Sequence, residues 1–274
     1  AKDACKLLTT ATGAEANQIA ATLHHENERR RNTERAIADQ ARQQVIDRGY
    51  DRDDVRAIVL AGENWHPGVV GIVCSRLVEA FGRPTILLNA DNGVATGSGR
   101  SIDGFDLHAA LAACADHLTK WGGHAMAAGL TLPTDAIDAF RDALLEHAGN
   151  RLEPADLVPA IDLDAEVALD QLDPPLVQQI DRLAPFGRAN RQPTLLLRGL
   201  TVDQPPQTVG ADGSHLVLHL RQADRTVRGI AWKRAGWHDK LTPGQTVHAA
   251  LQPKLKTWRN RTRVEAVIED LATP

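Results

Sequence analysis

Cysteine is scarce in this chain. Its three copies, Cys5, Cys74 and Cys114, are scattered with no Cys-x-x-Cys pair, so neither a disulfide framework nor a zinc site is indicated. Reduced thiols in a cytoplasmic protein are the expected state. Aromatic residues make up only 4%, so the cores must be built from Leu, Val, Ile and Ala. No apolar run approaches membrane-spanning length, no hydrophobic signal core opens the chain, and no membrane partner is expected. A surplus of positive charge is missing as well: 31 Lys and Arg face 35 Asp and Glu, for a net −4. That argues against a globally basic nucleic-acid binder and leaves only local patches. An initiator Met is also absent. The stretch Ala1-Lys2-Asp3-Ala4-Cys5-Lys6-Leu7-Leu8 starts inside a helical pattern without a cap, and is read as the start of a fragment of something larger.

What is present suffices for two domains: 274 residues, 43% of them hydrophobic. After a short helix to about residue 12, Ala14 to Arg48 reads as one long connector helix with sparse apolar positions at Ile19, Leu23, Ile37 and Val45. Its Arg29-Arg30-Arg31 run reads as a solvated face paired with Glu26, Glu28 and Glu34 rather than a polyanion site. His24 and His25 point about 100° apart on a helix and cannot converge on a metal. Residues 52–150 read as a compact α/β domain. Strands at 55–60 and 85–89 flank a helix opening at Pro67, a βαβ pattern with parallel strands. A strand at 94–98, a helix from Leu107 to Lys120, a strand at 125–132 and a helix from Ile137 complete it. Residues 151–274 shift to strands, including an acidic one at 161–167, with one short helix from Pro174. Five regularly spaced strands from Thr194 onward suit a small closed barrel such as an OB-fold.

Two glycine-rich stretches flank the helix from Leu107. In Gly97-Ser98-Gly99-Arg100-Ser101, amides, hydroxyls and a guanidinium suit phosphate oxygens. In Trp121-Gly122-Gly123-His124, adjacent glycines allow close backbone approach and a histidine follows at once. Both read as loops; an ordinary turn is the alternative for Gly-Gly-His, and a domain-surface ion pair the alternative for Arg100. Trp65 and His66 stand at a strand-to-helix turn, either walling a cleft or packing beside a hinge proline. Positive charge gathers late: residues 186–263 hold fourteen Lys and Arg against four Asp and Glu. Lys254, Lys256, Trp258, Arg259, Arg261 and Arg263 crowd one hairpin, where cations with an aromatic between them can track a phosphate backbone and stack a base. A charged hairpin whose Trp258 only packs is the other reading.

Together, Trp65-His66-Pro67-Gly68-Val69-Val70-Gly71, Gly82-Arg83-Pro84, Gly97-Ser98-Gly99-Arg100-Ser101 and Gly122-Gly123-His124-Ala125-Met126-Ala127-Ala128-Gly129 resemble the RecJ family of bacterial single-strand-specific exonucleases, within the DHH phosphoesterase superfamily. Asn27-Glu28-Arg29-Arg30 is similar to that family's interdomain connector, and Pro185-Phe186-Gly187-Arg188-Ala189-Asn190 to the entry of its OB-fold. The resemblance implies a helical connector over 1–51, a DHH-associated α/β domain over 52–150 and an OB-fold over 151–274. It implies 5′-to-3′ digestion of single-stranded DNA in repair and recombination, with Mn²⁺ or Mg²⁺ held by a catalytic DHH domain. No Asp-His-His triplet occurs in this sequence. No metal ligands or bound cofactor are therefore expected within it, and the 274 residues are expected to be inactive alone, with the DHH domain as a missing partner.

The resemblance further implies His124 as the catalytic residue, with Gly122 and Gly123, meeting a phosphate near the scissile bond. Gly99, Arg100 and Ser101 would hold the next phosphates, with Trp65 and His66 at the cleft and Lys254, Lys256, Trp258, Arg259 and Arg261 gripping the strand. Expected partners are single-stranded DNA and a repair helicase or single-strand-binding protein, with the chain itself a monomer. A smaller DHH-family oligonucleotide phosphodiesterase and a non-catalytic strand-binding module are the alternatives.

Overall fold

A computed structural model describes residues 2–187, 189–259 and 261–274, with only the backbone of Trp258. It divides into two compact units, 1–159 and 160–274. No helix among the described residues is long and apolar enough to cross a membrane.

In the first unit, helices α1 (Lys2–Thr9) and α2 (Gly13–Asp47) come first. Only the last third of α2 is buried, along Glu34, Ile37, Ala41 and Val45, whose helical spacing forms a narrow stripe. Strand β1 (Ile58–Gly62) leads to helix α3 (Pro67–Phe81), which ends at Gly82 in the left-handed region at φ 65°. A Cβ there would meet the Leu157 carbonyl at 2.2 Å, so glycine is required on two counts. Strand β2 (Thr85–Asp91) runs parallel to β1, completing the expected βαβ unit. Strand β3 (Val94–Arg100), helix α4 (Leu107–Ala113), strands β4 (Lys120–His124) and β5 (Ala127–Pro133), and helix α5 (Ile137–Gly149) follow.

Two expectations are corrected here. The helix from Leu107 stops at Ala113, not Lys120, and gives way to a 3₁₀ turn over Ala115–His117. Neither glycine stretch is a loop: Gly97, Gly99 and Arg100 lie in β3, and Gly122-Gly123-His124 forms most of β4. Glycines are poor helix formers, and the Thr119–Trp121 segment finds ladder partners along β5, beginning with the Thr119 amide on the Thr131 carbonyl.

The five-stranded sheet has the order β1-β2-β3-β5-β4, which leaves β4 at an edge. One face packs Val59, Ile86, Leu88, Ala128, Leu130 and Leu132 against α4 and α5. On the other face, Ile58, Leu60 and Leu87 meet α3 and the end of α2. Glu34, read from the sequence as solvated, is 3% exposed and joins Arg30 of α2 to Arg76 of α3.

The second unit begins with β6 (Ala165–Glu166) and α6 (Pro174–Asp181). The acidic strand expected over 161–167 is only these two residues long. Just before it, the Asp164 carboxylate accepts from the Thr194 amide and stands in for a ladder bond. Strands β7 (Leu195–Val202), β8 (Gln207–Val209), β9 (His215–Gln222), β10 (Arg225–Ala231), β11 (Thr246–Trp258) and β12 (Arg261–Ala272) follow. Their order is β6-β7-β11-β12-β10-β9-β8, and β7 also pairs with β9, which closes the barrel. Among the five strands that close the barrel, the β10–β12 pair is parallel and the others are antiparallel, as the OB-like reading requires, while the short β6 joins β7 in parallel.

Candidate functional site

Directly paired residues of a sheet share a face, so the register fixes what surrounds His124. His124 pairs with Ala127, Ala127 with Arg100, and Arg100 with Thr85. The neighbouring row runs Gly122, Gly129, Ser98, Leu87, and the next Lys120, Thr131, Thr96, Asn89. These rows lie on the face that α3 covers. A Cβ at Gly71 of α3 would meet the Arg100 guanidinium at 3.0 Å, and the Cys74 thiol donates to the Ser98 carbonyl at 3.0 Å. That cover ends at β3. Gly122, His124, Gly129 and Lys120 are all exposed. Two strand spacings put His124 and Arg100 roughly 10 Å apart across a floor of glycine and alanine.

The floor has the chemistry of an anion platform. Edge strand β4 pairs with β5 alone, so it offers unpaired backbone groups on its outer side. Gly122 has open space where a Cβ would be. Gly123, at φ 145°, has none: its Cβ would meet the Ala127 carbonyl at 2.4 Å and the Ala128 Cα at 2.6 Å. The two glycines therefore do different work. Gly123 permits the tight hairpin, whereas Gly122 keeps the surface bare. The hairpin tip is tied down, its Met126 and Ala125 carbonyls accepting from the Ser101 and Leu107 amides. Arg100 donates to the Gly99 carbonyl at 2.8 Å, and among the described residues no carboxylate pairs with it.

Other residues singled out from the sequence are placed differently. Ser101 is buried, and its hydroxyl donates to the Phe105 carbonyl at 2.6 Å, so it secures a turn. Gly99 is in a central strand with partners on both sides, and its Cβ would strike Leu107 at 2.7 Å. Glycine there admits helix α4, and the Gly99 amide lies in the ladder rather than an open loop. Trp65 is 2% exposed, packed over Gly62 with its indole N–H on Gln40 at 3.0 Å; it belongs to the core. His66 is exposed and caps α3, its Nδ1 accepting from the Gly68 amide at 3.1 Å. Cys74 is buried on the sheet-facing side of α3, which pushes its thiol up to about 12 despite the nearby Arg100 charge.

In the second unit the basic hairpin is β11–β12. Lys254, Lys256, Arg259 and Arg261 are exposed; the Trp258 side chain and all of Arg188 lie outside the described residues. Glu265, 8% exposed, accepts from Arg228 at 3.1 Å, Lys256 at 3.3 Å and Arg263 at 3.1 Å. One carboxylate thus gathers three cations on the outer surface of the barrel. Sequence reasoning missed Arg228 and Trp232. Period-two alternation in Arg228-Gly229-Ile230-Ala231-Trp232 separates them from buried Gly229 and Ala231, and could have found them. Among the described residues no three His, Cys, Asp or Glu side chains come together as a metal site requires.

Comparison with known proteins agrees with this division. The RecJ OB domain model matches residues 163–270 and the DHHA1 domain model residues 54–150. The single-stranded-DNA-specific exonuclease RecJ of Bacillus subtilis is 32% identical over 274 residues, covering 99% of this chain and 34% of that protein. Its namesake from Thermus thermophilus is 32% identical, covering 100% of this chain and 38% of that protein. The crystal structure of the Thermus thermophilus RecJ with Mn²⁺ superposes with a TM-score of 0.79 at 31% identity, over 100% of this chain and 38% of that one. The chain spans little more than a third of the length of these relatives.

Proposed function

The chain belongs to the RecJ family, and from that membership and the bare sheet face we propose that these residues grip single-stranded DNA for a phosphodiester-hydrolysing 5′-to-3′ exonuclease. One observation carries the reading: exposed His124 and Gly122 share a sheet face with half-buried Arg100, across a floor of glycine and alanine. A phosphodiester lying on that floor takes a hydrogen bond from the His124 ring, which stabilises charge developing on a phosphoryl oxygen. Arg100 supplies a planar fork for a phosphate about two strand spacings away. The glycines let the nucleic-acid backbone come close, and the basic barrel surface is a second surface suited to single strand.

The relatives' crystal structures contain Mn²⁺ or Mg²⁺. The donor groups described here do not fit such an ion, because no three ligands converge. In this reading the divalent metals belong to a DHH domain that these residues do not include, and hydrolysis by the 274 residues alone is not expected.

Anisotropy of a 5′-labelled oligothymidylate tests the grip. Wild type is expected to bind, with His124→Ala and Arg100→Ala each weaker. Lys254→Ala with Arg261→Ala is expected to flatten the salt slope by about 1.4, at roughly 0.7 per lost phosphate contact. Metal-dependent nucleotide release by this chain alone, or no binding by wild type, overturns the proposal.

A further inference from the structure

Most tryptophans of this chain are accounted for by packing, but Trp232 is not. It follows the last residue of β10 and is 53% exposed, whereas Trp65 is buried and Trp121 packs on His108 at 4.9 Å. An indole left half in water forgoes much of the burial that ordinarily favours it. Trp232 is nevertheless held in place. The His215 ring stands edge-on to it at 4.7 Å, and that ring is fixed by the Lys233 amide at 3.1 Å and the Ser214 hydroxyl at 3.2 Å.

The surface beside the indole is a groove of about 290 Å³ between β10, β12 and β11. Its apolar floor is the paired Ile230 and Val267 with Trp232. Arg228, Lys254 and Lys256 line its rim, and Glu265 is the single carboxylate among them. A braced aromatic face next to an apolar slot and a cationic rim matches a nucleotide whose base has left the stack: base on the indole, phosphate on the cations. An acidic polypeptide segment would also meet such a rim, and the braced indole face is what favours a nucleobase over it.

We infer that Trp232 is a base-stacking platform, and that the groove beside it receives one unstacked nucleobase of a single strand with its phosphate on Lys254 and Arg228. The inference rests on the single-strand reading above and adds a recognition element to it, since phosphate contacts alone do not distinguish a strand with bases from one without. Stacking on an aromatic face tolerates any base, which suits digestion without sequence preference.

The test uses the full chain and two strands of equal length, oligothymidylate and an abasic deoxyribose-phosphate polymer. Wild type is expected to favour the strand with bases. Trp232→Ala should weaken thymidylate binding about tenfold and leave abasic binding unchanged, while Trp232→Phe keeps most of the preference. Thermal melting of both variants reports whether the barrel is intact. A wild type that favours bases while Trp232→Ala keeps that preference overturns the platform and spares the single-strand reading. A wild type that binds neither strand overturns both. A wild-type dimer that Trp232→Ala dissociates would assign the groove to a second copy and overturn the platform.

Discussion

One face of the five-stranded sheet carries two different surfaces. Over β1 and β2, residues pointing to that face include Ile58, Leu60 and Leu87, and helices α2 and α3 cover them. Over β5 and β4 the same rows continue as half-buried Ala127 and exposed Gly129, Gly122 and His124. The fold is stabilised on the first half, where apolar side chains leave water. On the second half most side chains are too small to bury much area, and what remains is largely backbone, the His124 imidazole and the Lys120 side chain, with Arg100 of β3 at the boundary. The difference teaches that a run of glycine and alanine in a strand is either a place where something else packs or a place kept bare. Gly99 is the first kind, because Leu107 fills the space above it. Gly122 is the second, with nothing near it.

Breaking the covered half should have the largest effect. Leu87→Ala removes a fully buried side chain between β2 and α3, and should cost about 2–5 kcal/mol, read as a large fall in the thermal midpoint. His124→Ala, on the same face but exposed, should shift stability by no more than about 0.5 kcal/mol while reducing single-strand binding. Equal losses of stability would erase the distinction between the halves.

The glycine pair gives the next effect in size. Gly123→Ala forces a Cβ into the Ala127 carbonyl at φ 145° and should cost about 1–3 kcal/mol. Gly122→Ala meets nothing, so its melting curve should overlay that of wild type. Oligothymidylate affinity should still fall about three- to tenfold, the worth of one hydrogen bond displaced by the new methyl. If Gly122→Ala is as unstable as Gly123→Ala, both glycines are structural and the platform is not one.

The strand–helix–strand start, the long helix and the closed barrel were legible because their signals are local: β-branched runs, a proline at a helix start, evenly spaced turns. Legible too was the pairing of Gly-Gly-His with the Gly-Ser-Gly-Arg stretch. Their nature as strands on either side of β5 was not, since short glycine-rich strands lack the side chains that carry a period-two pattern. Ser101 and Trp65 show a different limit. A hydroxyl and an indole suited to a ligand are equally suited to a buried carbonyl, and only tertiary packing decides between Phe105 or Gln40 and a phosphate. Glu34 erred the other way: its helical spacing to Arg30 reads as a surface pair, and nothing local announces Arg76 of α3.

The smallest expected effect is chemical, and it probes how tightly the cover is sealed where the two halves meet. Cys74 lies on the buried face of α3 with its thiol on the carbonyl of Ser98, which is one residue from Gly99 and in the row next to Arg100. Burial raises its pKa from the ordinary thiol value to about 12, and burial also raises that of Cys114, whereas Cys5 is exposed. A thiol reagent at pH 8 should therefore label one cysteine per native chain quickly and the other two only on unfolding, because the thiolate is the reacting form. The raised value also sets a pH dependence. Below the unfolded thiol value near 9 both states are protonated, and the contribution of Cys74 to stability is fully present. Between that value and about 12 the unfolded chain loses its proton first, so stability falls as the pH rises. Cys74→Ala should flatten this alkaline decline in the melting temperature while leaving the neutral-pH fold intact. Rapid labelling of two thiols in the native chain would mean that α3 lifts from the sheet, and the covered half would then be only intermittently covered.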